Sequence, residues 1–280
     1  MSGTMAPEMR AELAAIRSLL FVPGDDEQKL AGVAQRGADA VIVDLEDAVS
    51  QHVKAAARET AATALAAMPE RPLRMLRVNG WGTAFHDGDL AMLGDLSLDA
   101  VVLPKAAPQA LEGVAATHLP VLAIVETAEG LRGSYEIASH PAVFALMLGA
   151  ADLSADLGLR PREDGLEILH ARSQLVLDSR AAGIRAPFDG VHLQIEDPDG
   201  LLAQARLART LGMRGMACIH PSQVALVHAA FAPADSEVQW ARRVLDVAAG
   251  VGGARAVDGM MVDEAILARA RGILAEAGQP

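Results

Sequence analysis

The sequence has few aromatic residues and almost no cysteine. Aromatic residues make up 3% of the 280 residues, so alanine and aliphatic side chains must fill any core. This composition favours packed α/β architecture over a β-sandwich. Cys218 is the only cysteine, which excludes an intrachain disulfide and favours a reducing compartment. We therefore expect a cytoplasmic protein.

The sequence also lacks an excess of basic charge and any long apolar run. It carries 24 Lys and Arg against 36 Asp and Glu, a formal charge of −12, so no nucleic-acid partner is expected. The apolar runs are too short to cross a bilayer, and the run Leu19 to Val22 is too short for a signal peptide. An anionic substrate would need a local positive site, made by a metal ion or a few cations.

Short β-rich runs alternate with Ala-rich helical patterns along most of the chain. The alternation predicts a (β/α)8 TIM barrel over residues 17–233, after an N-terminal extension over 1–16 and before C-terminal helices or a lid over 234–280. Several runs are apolar throughout, as expected for strands that are covered on both faces. The eight predicted strands are Ser18–Val22, Ala40–Asp44, Leu73–Val78, Ala100–Leu103, Val121–Val125, Ala145–Leu148, Gly190–Leu193 and Gly215–Ile219.

An open doubly wound sheet is the alternative fold. Its nucleotide-binding forms carry a Gly-rich first turn, and the turn Pro23–Asp26 lacks that spacing. We therefore expect no nucleotide redox cofactor. One helix has clear end signals, because Asp197 and Pro198 predict its start and Gly212 predicts its end.

Polar residues follow the predicted strands, where a barrel places its chemistry. Glu126 and Asp152 follow neighbouring strands, so their carboxylates can converge on one ion, and Mg²⁺ prefers such oxygen ligands. The alternative is that each caps the next helix, although Thr127 could be the cap and leave Glu126 free. The eight histidines form no H-x-H or H-E-x-x-H pattern, so zinc is not expected.

Other strand ends carry cations and small residues. Arg77 suits a carboxylate or an enolate oxygen, or else a structural ion pair with Asp44 or Glu46. Lys105 could bind an anion, act as a Schiff-base nucleophile or form a salt bridge. The backbone of Gly149–Asp152 could hold a carboxylate beside the metal, or simply pack closely.

The acids Asp44, Glu46 and Asp47 fall within four residues. Such crowding raises the pKa of at least one of them unless nearby cations offset the repulsion. We expect Cys218 to lie in the core and His220 to be a hydrogen-bonded rim residue.

Motifs along nearly the whole chain resemble the citrate lyase beta-subunit family. The likeness runs from about residue 17 to about residue 274, with Lys54 and Arg58 in one of its motifs. The motif segments are Leu20–Gly24, Asp44–Val49, Arg77–Asn79, Leu103–Lys105, Glu126–Gly130, Gly149–Leu153, Ile219–Gln223 and Gly259–Asp263.

The resemblance implies a TIM barrel, a homotrimer or a multiple of one, and one Mg²⁺ per subunit. It implies making or breaking of a carbon–carbon bond in a 3-hydroxyacyl thioester, such as a citryl, malyl or citramalyl form, carried by coenzyme A or an acyl-carrier partner. The other product or reactant is a 2-oxo acid.

The resemblance also suggests roles for individual residues. Glu126 and Asp152 become the metal ligands, and Arg77 faces the developing enolate. Asp263 matches a lid aspartate that serves as acid or base, sometimes across a subunit boundary. Asp47 is a further catalytic candidate. The pyruvate-aldolase branch tends to have histidine at this position, so Asp47 favours the thioester branch. The substrate-binding candidates are Arg77, Glu46, Lys105, Ala150, Ala151 and Asp152.

Three other functions stay open at this point. One is a metal-dependent aldolase for free 2-oxo acids. The second is phosphoryl transfer, for which His220 is the only histidine at a strand end. The third is a non-catalytic subunit of a larger lyase assembly.

Overall fold

The structure is a computed structural model that describes residues 6–249, 256–257 and 259–278. Contacts divide the chain into two compact units, one ending at Ala230 and the other beginning at Phe231. The sequence predicted a boundary between residues 233 and 234. Within the described part of the chain, no helix is long and apolar enough to cross a membrane.

The first unit is a parallel α/β fold around a curled seven-stranded sheet with the strand order β6-β5-β4-β3-β2-β1-β7. Strands β2, β4, β5 and β6 are buried at every position, as expected for strands that are covered on both faces. The strands are β1 Ser18–Pro23, β2 Ala40–Asp44, β3 Leu73–Arg77, β4 Ala100–Leu103, β5 Val121–Val125, β6 Val143–Leu148 and β7 Met216–Cys218.

Helices connect successive strands. Those of the first unit are α1 Pro7–Ala15, α2 Glu27–Gly32, α3 Lys54–Ala67, α4 His86–Leu93, α5 Leu111–Ala115, α6 Ala128–Arg132, α7 Ser134–Ser139, α8 Ala150–Leu157, α9 Leu169–Ala182, α10 Pro198–Leu211 and α11 Pro221–Phe231, which ends at the boundary. Three short 3₁₀ helices cover Val33–Arg36, Pro108–Ala110 and Leu166–Ile168. The predicted signals of α10 are confirmed, because the Asp197 side chain accepts from Gly200 N–H and Gly212 ends the helix at φ 104°.

The predicted strand Gly190–Leu193 is wrong. The bridging residues lie just before it: Phe188 pairs with Met147 of β6, and Asp189 pairs with Met216 of β7, as isolated bridges. Gly190 packs so closely on the backbone that an added Cβ would lie 2.6 Å from Leu148 O. Asp189 can be buried here because its carboxylate pairs with Arg172 at 3.1 Å, a tertiary pairing that the sequence does not display.

The predicted N-terminal extension is helical over most of the part that the structure describes, from residue 6 onward. Residues 7–15 form helix α1, whose Leu13 is 1% exposed, as is Ile16 just after it. Both side chains belong to a core cluster that includes Leu19, Ile42 and other strand residues. The polar, Ala-rich sequence of α1 hides this role, because only a few of its side chains face the core.

The second unit contains two helices and a small hairpin. Helix α12 covers Asp235–Ala249 and α13 covers Glu264–Glu276, while β8 Ala256–Val257 pairs antiparallel with β9 Met260–Met261. Its core comprises Ala241, Val244, Val257, Ala270, Ile273 and Leu274.

Candidate active site

Asp44, at the end of β2, is fully engaged by hydrogen bonds. Its Oδ1 accepts from Arg77 Nε at 2.7 Å and from Glu46 N–H at 2.8 Å. Its Oδ2 accepts from Arg77 Nη2 at 2.6 Å and from Ala48 N–H at 3.1 Å. The carboxylate is 1% exposed, so its job is to hold the turn after β2 and to orient Arg77.

Arg77, the last residue of β3, therefore forms the structural ion pair that the sequence left open. A second part of its guanidinium faces the site, because Nη1 lies 3.0 Å from Glu46 Oε2 and 3.8 Å from Asp47 Oδ2. Its guanidinium stacks 4.9 Å from the centroid of the Phe21 ring. Burial alone would lower the pKa of Arg77, but the bonds and charge of Asp44, with Glu46 and Asp47, raise it above its usual value. Arg77 is a fixed cation in this site.

Glu46, which follows β2, forms a second ion pair with Lys105, which follows β4. Lys105 Nζ donates to Glu46 Oε1 at 2.6 Å, whereas Glu46 Oε2 is buried with no hydrogen-bond partner in the described residues. Burial raises the pKa of Glu46, against the opposing charge of Arg77 and the bond from Lys105. Burial would lower the pKa of Lys105, but the bond and charge of Glu46 raise it. The salt-bridge alternative for Lys105 is thus observed, and a protonated amine is a poor Schiff-base nucleophile.

Glu126 follows β5 and is 2% exposed. Its Oε1 accepts a 2.7 Å hydrogen bond from the backbone N–H of Lys105, which has a left-handed φ of 46°. Burial, together with the charges of Glu46 and Asp152, raises the pKa of Glu126 to about 7, although the Lys105 bond opposes this. A buried carboxyl with such surroundings is stabilised in its charged form by an added cation.

Gly149 makes room for this carboxylate. An added Cβ at position 149 would overlap Oε2 and Cβ of Glu126. The following helix is capped in the way the sequence allowed, because Thr127 Oγ1 accepts from Gly130 N–H at 3.0 Å and leaves Glu126 free of capping. Glycine at 149 therefore lets Glu126 face the end of β6.

Asp152 lies in the first turn of α8 and is exposed. Its negative charge contributes to the raised pKa of Glu126, so the carboxylates of the two predicted metal ligands interact electrostatically. The first-turn N–H groups of Ala150, Ala151 and Asp152 have no acceptor within the helix and can bind an anion. In the part of the chain that the structure describes, no group of three His, Cys, Asp or Glu side chains could hold a metal ion. A two-carboxylate site needs further ligands from water or substrate.

Sequence reasoning missed a network behind the site. Asp89 is fully buried and accepts from Arg58 Nε at 2.7 Å, Asn79 N–H at 2.7 Å and Asn79 Nδ2 at 2.6 Å. Lys54 Nζ donates to Leu45 O and Glu46 O, each at 2.8 Å. The available signal was the spacing of Lys54 and Arg58, which puts them on one face of a helix.

The other predicted residues are placed as follows. Asp47 has a side chain that is 57% exposed beside Arg77. Asp263 belongs to the second unit, where its side chain caps α13 by accepting from Ile266 N–H at 2.9 Å. Cys218 is buried, as predicted, and His220 Nδ1 lies 2.7 Å from Ser222 Oγ.

Comparisons with known proteins show the family of this chain. The model of the HpcH/HpaI aldolase/citrate lyase family matches residues 17–221. A citrate lyase subunit beta-like protein of Deinococcus radiodurans is 39% identical over 283 residues, covering 95% of this chain and 99% of the relative. A (3S)-malyl-CoA thioesterase of Cereibacter sphaeroides is 36% identical over 269 residues, covering 93% and 94%.

A solved structure is also similar along nearly the whole chain. It is the CitE protein of Mycobacterium tuberculosis in complex with magnesium, acetoacetate and coenzyme A, which matches with a TM-score of 0.84 and 38% identity, covering 95% of this chain and 100% of the other. A citrate lyase beta subunit from the same organism, complexed with oxaloacetate and magnesium, matches with a TM-score of 0.72 and 36% identity, covering 79% and 100%. The resemblance found in the sequence motifs is confirmed: this chain belongs to the HpcH/HpaI aldolase/citrate lyase family.

Proposed function

We propose that this protein is a Mg²⁺-dependent enzyme that breaks or forms a carbon–carbon bond in a 3-hydroxyacyl thioester, with a 2-oxo acid as the partner product or reactant. The observation that carries the proposal is the geometry at Glu126, a carboxyl that is 2% exposed and lies against Gly149 at the end of β6. Burial, with the charges of Glu46 and Asp152, raises its pKa to about 7. Similar structures hold magnesium together with acetoacetate and coenzyme A, or with oxaloacetate. Both kinds of ligand fit a site with a hard cation and an enolate-stabilising arginine.

Glu126 and Asp152 would hold one Mg²⁺. Their donor set fits, because both ligands are oxygens and Gly149 keeps the space beside Glu126 Oε2 free of a side chain. When bound, the ion would draw charge from the oxygens of the 2-oxo acid or hydroxy acid and lower the pKa of the hydroxyl. The first-turn N–H groups of Ala150, Ala151 and Asp152 would bind the substrate carboxylate.

Residues of β2 to β4 would handle the reacting groups. Arg77 is a buried cation whose orientation Asp44 fixes, so it can neutralise a thioester enolate without reorganisation. Glu46 Oε2 lies 3.0 Å from Arg77 Nη1 but has no hydrogen bond in the described residues, and it would accept the substrate hydroxyl proton during cleavage. Lys105 would hold Glu46 in place while it faces the substrate. The exposed Asp47 is the second candidate for this acid–base work.

Asp263 would protonate the enolate carbon during cleavage and remove that proton in synthesis. The support for this role is the match of Gly259–Asp263 to the family's lid motif. Serine also caps helices, so Asp263→Ser removes the acid while it keeps a cap for α13. We expect this variant to bind a 2-oxo acid with Mg²⁺ normally and to lose most turnover, whereas Asp152→Asn should lose both.

Thioester hydrolysis is the second candidate, because a (3S)-malyl-CoA thioesterase is 36% identical along the chain. The decisive assay is a panel of citramalyl, malyl, citryl and methylmalyl thioesters, with and without Mg²⁺. Bond cleavage releases a 2-oxo acid and keeps the thioester, whereas hydrolysis releases a free thiol. Burial raises the pKa of the Cys218 thiol to about 12, so the protein adds little background to a thiol reagent.

Adding free hydroxy-oxo acids to the panel, and offering each acyl group on coenzyme A and on an acyl carrier, separates the remaining alternatives. Turnover of free hydroxy-oxo acids alone would favour a 2-oxo acid aldolase. Turnover that requires an acyl-carrier thioester, with none for coenzyme A, would favour dependence on a carrier partner. If no thioester yields a 2-oxo acid or a thiol, the proposed function is wrong.

Two expectations about architecture stay part of the proposal. The closed eight-stranded barrel is supported by Phe188 and Asp189, which bridge β6 on one side and β7 on the other. The homotrimer is supported by the family resemblance and is tested by light scattering of the purified protein.

A further inference from the structure

Lys54 is a buried cation without a carboxylate partner at hydrogen-bond distance in the described residues. It is 6% exposed, and its ammonium donates to two backbone carbonyls, Leu45 O and Glu46 O. It also lies 5.5 Å from the centroid of the Phe85 ring. Burying an ammonium is costly unless its hydrogen bonds are well made, so this residue has a specific task.

Its place in helix α3 supports the same conclusion. Lys54 is the first residue of α3, the first turn contains no acid, and the preceding Val53 provides no side-chain cap. A positive charge at a helix N-terminus is unfavourable to the helix dipole. The chain has only three lysines, at positions 29, 54 and 105, and two of them contact Glu46. Helix formation therefore does not explain Lys54.

The contacts show what Lys54 holds. The Glu46 carbonyl accepts from Lys54 and also from Val49 N–H at 3.1 Å, so both of its lone pairs are used. The Glu46 N–H donates to Asp44. The Glu46 backbone is thus fixed on both sides, and its side chain is left to reach Lys105 and Arg77.

One turn later on the same helix, Arg58 fixes the next loop. Its Nε donates to Asp89 and its Nη2 donates to Phe85 O at 2.8 Å. The N-terminal turns of α3 therefore anchor the segments that follow both β2 and β3.

We infer that Lys54 is a positioning residue, which fixes the backbone of Glu46 so that its carboxylate meets the substrate at the geometry that catalysis needs. The inference rests on the proposed function. Lys54 acts only through Glu46, and it makes no contact with the candidate metal ligands. Its loss should lower turnover and leave the binding of Mg²⁺ and 2-oxo acid in place.

The test is a double-mutant cycle with Glu46. Lys54→Met keeps the length of the side chain and removes its donors, and Glu46→Gln removes the carboxylate. We expect Lys54→Met to lower kcat at least tenfold in the wild type and less than threefold in the Glu46→Gln background, with Mg²⁺ affinity changed less than threefold. Lys29→Met removes an exposed lysine paired with Asp26 and is the matched control, with unchanged kcat.

Each outcome decides one question. Equal losses of kcat in both backgrounds, or a loss below twofold in the wild type, would overturn the role of Lys54. Inactivity of the wild type on every thioester would instead overturn the proposed function. If Lys54→Met does not fold, Lys54→Gln, which keeps an amide donor, takes its place in the cycle. The loss of kcat in the wild type is then compared with the loss in the Glu46→Gln background by the same criteria.

Discussion

Replacing Glu126 by glutamine should make the metal-free protein more stable while it removes metal binding. Burial, with the charges of Glu46 and Asp152, raises the pKa of Glu126 from 4.5 to about 7. The folded state therefore holds this proton more tightly than the unfolded chain does, so stability falls as pH rises from 4.5 through about 7. Glutamine never ionises, and its side-chain carbonyl can still accept the Lys105 N–H.

The size of the effect follows from the pKa. At about 1.4 kcal/mol for each tenfold change in proton affinity, the rise corresponds to about 3 kcal/mol above pH 7. The gain shrinks to less than about 1 kcal/mol at pH 5, where most folded molecules already carry the proton. The assay is urea unfolding of wild type and Glu126→Gln in EDTA at pH 5 and pH 8.

Saturating Mg²⁺ provides the internal control, because only the wild type should gain stability from it. An advantage of Glu126→Gln that is equal at pH 5 and pH 8, or absent at both, would refute the electrostatic reasoning. Glu126 would then have no electrostatic need for a cation beside it.

Three further predictions concern the site and the core. Gly149→Ala should weaken Mg²⁺ binding at least tenfold by titration calorimetry, because the added Cβ would overlap Glu126. The control Gly94→Ala, where an added Cβ meets nothing within 4 Å, should leave binding unchanged. Normal Mg²⁺ binding by Gly149→Ala would contradict the steric explanation. Mg²⁺ affinity should fall about fivefold from pH 7 to pH 6, as the proton competes for a carboxyl with a pKa of about 7, and should change little from pH 8 to pH 9. Leu13→Ala should lower the free energy of unfolding by about 2 to 5 kcal/mol, because Leu13 is 1% exposed; a loss below about 0.5 kcal/mol would mean that α1 is not part of the core.

The regular part of the fold was predictable because its signals are local. Strands β2, β4 and β5 are short apolar runs buried on both faces, and their predicted bounds match the structure. The ends of α10 were predictable because Asp197 and Gly212 act within one turn of the helix.

The rest depends on partners that are distant in sequence. Phe188 and Asp189 were missed as bridging residues because a buried Asp is acceptable only with Arg172, 17 residues away. Their positions at strand ends were enough to suggest Glu126 and Asp152, but not to predict which surrounding residues pair with one another. Tertiary contacts fill the hydrogen-bonding capacity of the Asp44 carboxylate. They also bury the Lys54 ammonium against two backbone carbonyls.

The pairing of β1 has a consequence for how the chain is made. Ser18 pairs with Met216, while the other edge of β1 pairs with β2 nearby. At typical ribosomal speeds, the later partner of Ser18 follows it by roughly 10 to 40 seconds. During that interval an apolar strand with an unpaired edge is exposed to other nascent chains. Expression at lower temperature or with extra chaperone should therefore improve the soluble yield of this protein more than changes to its surface charge would.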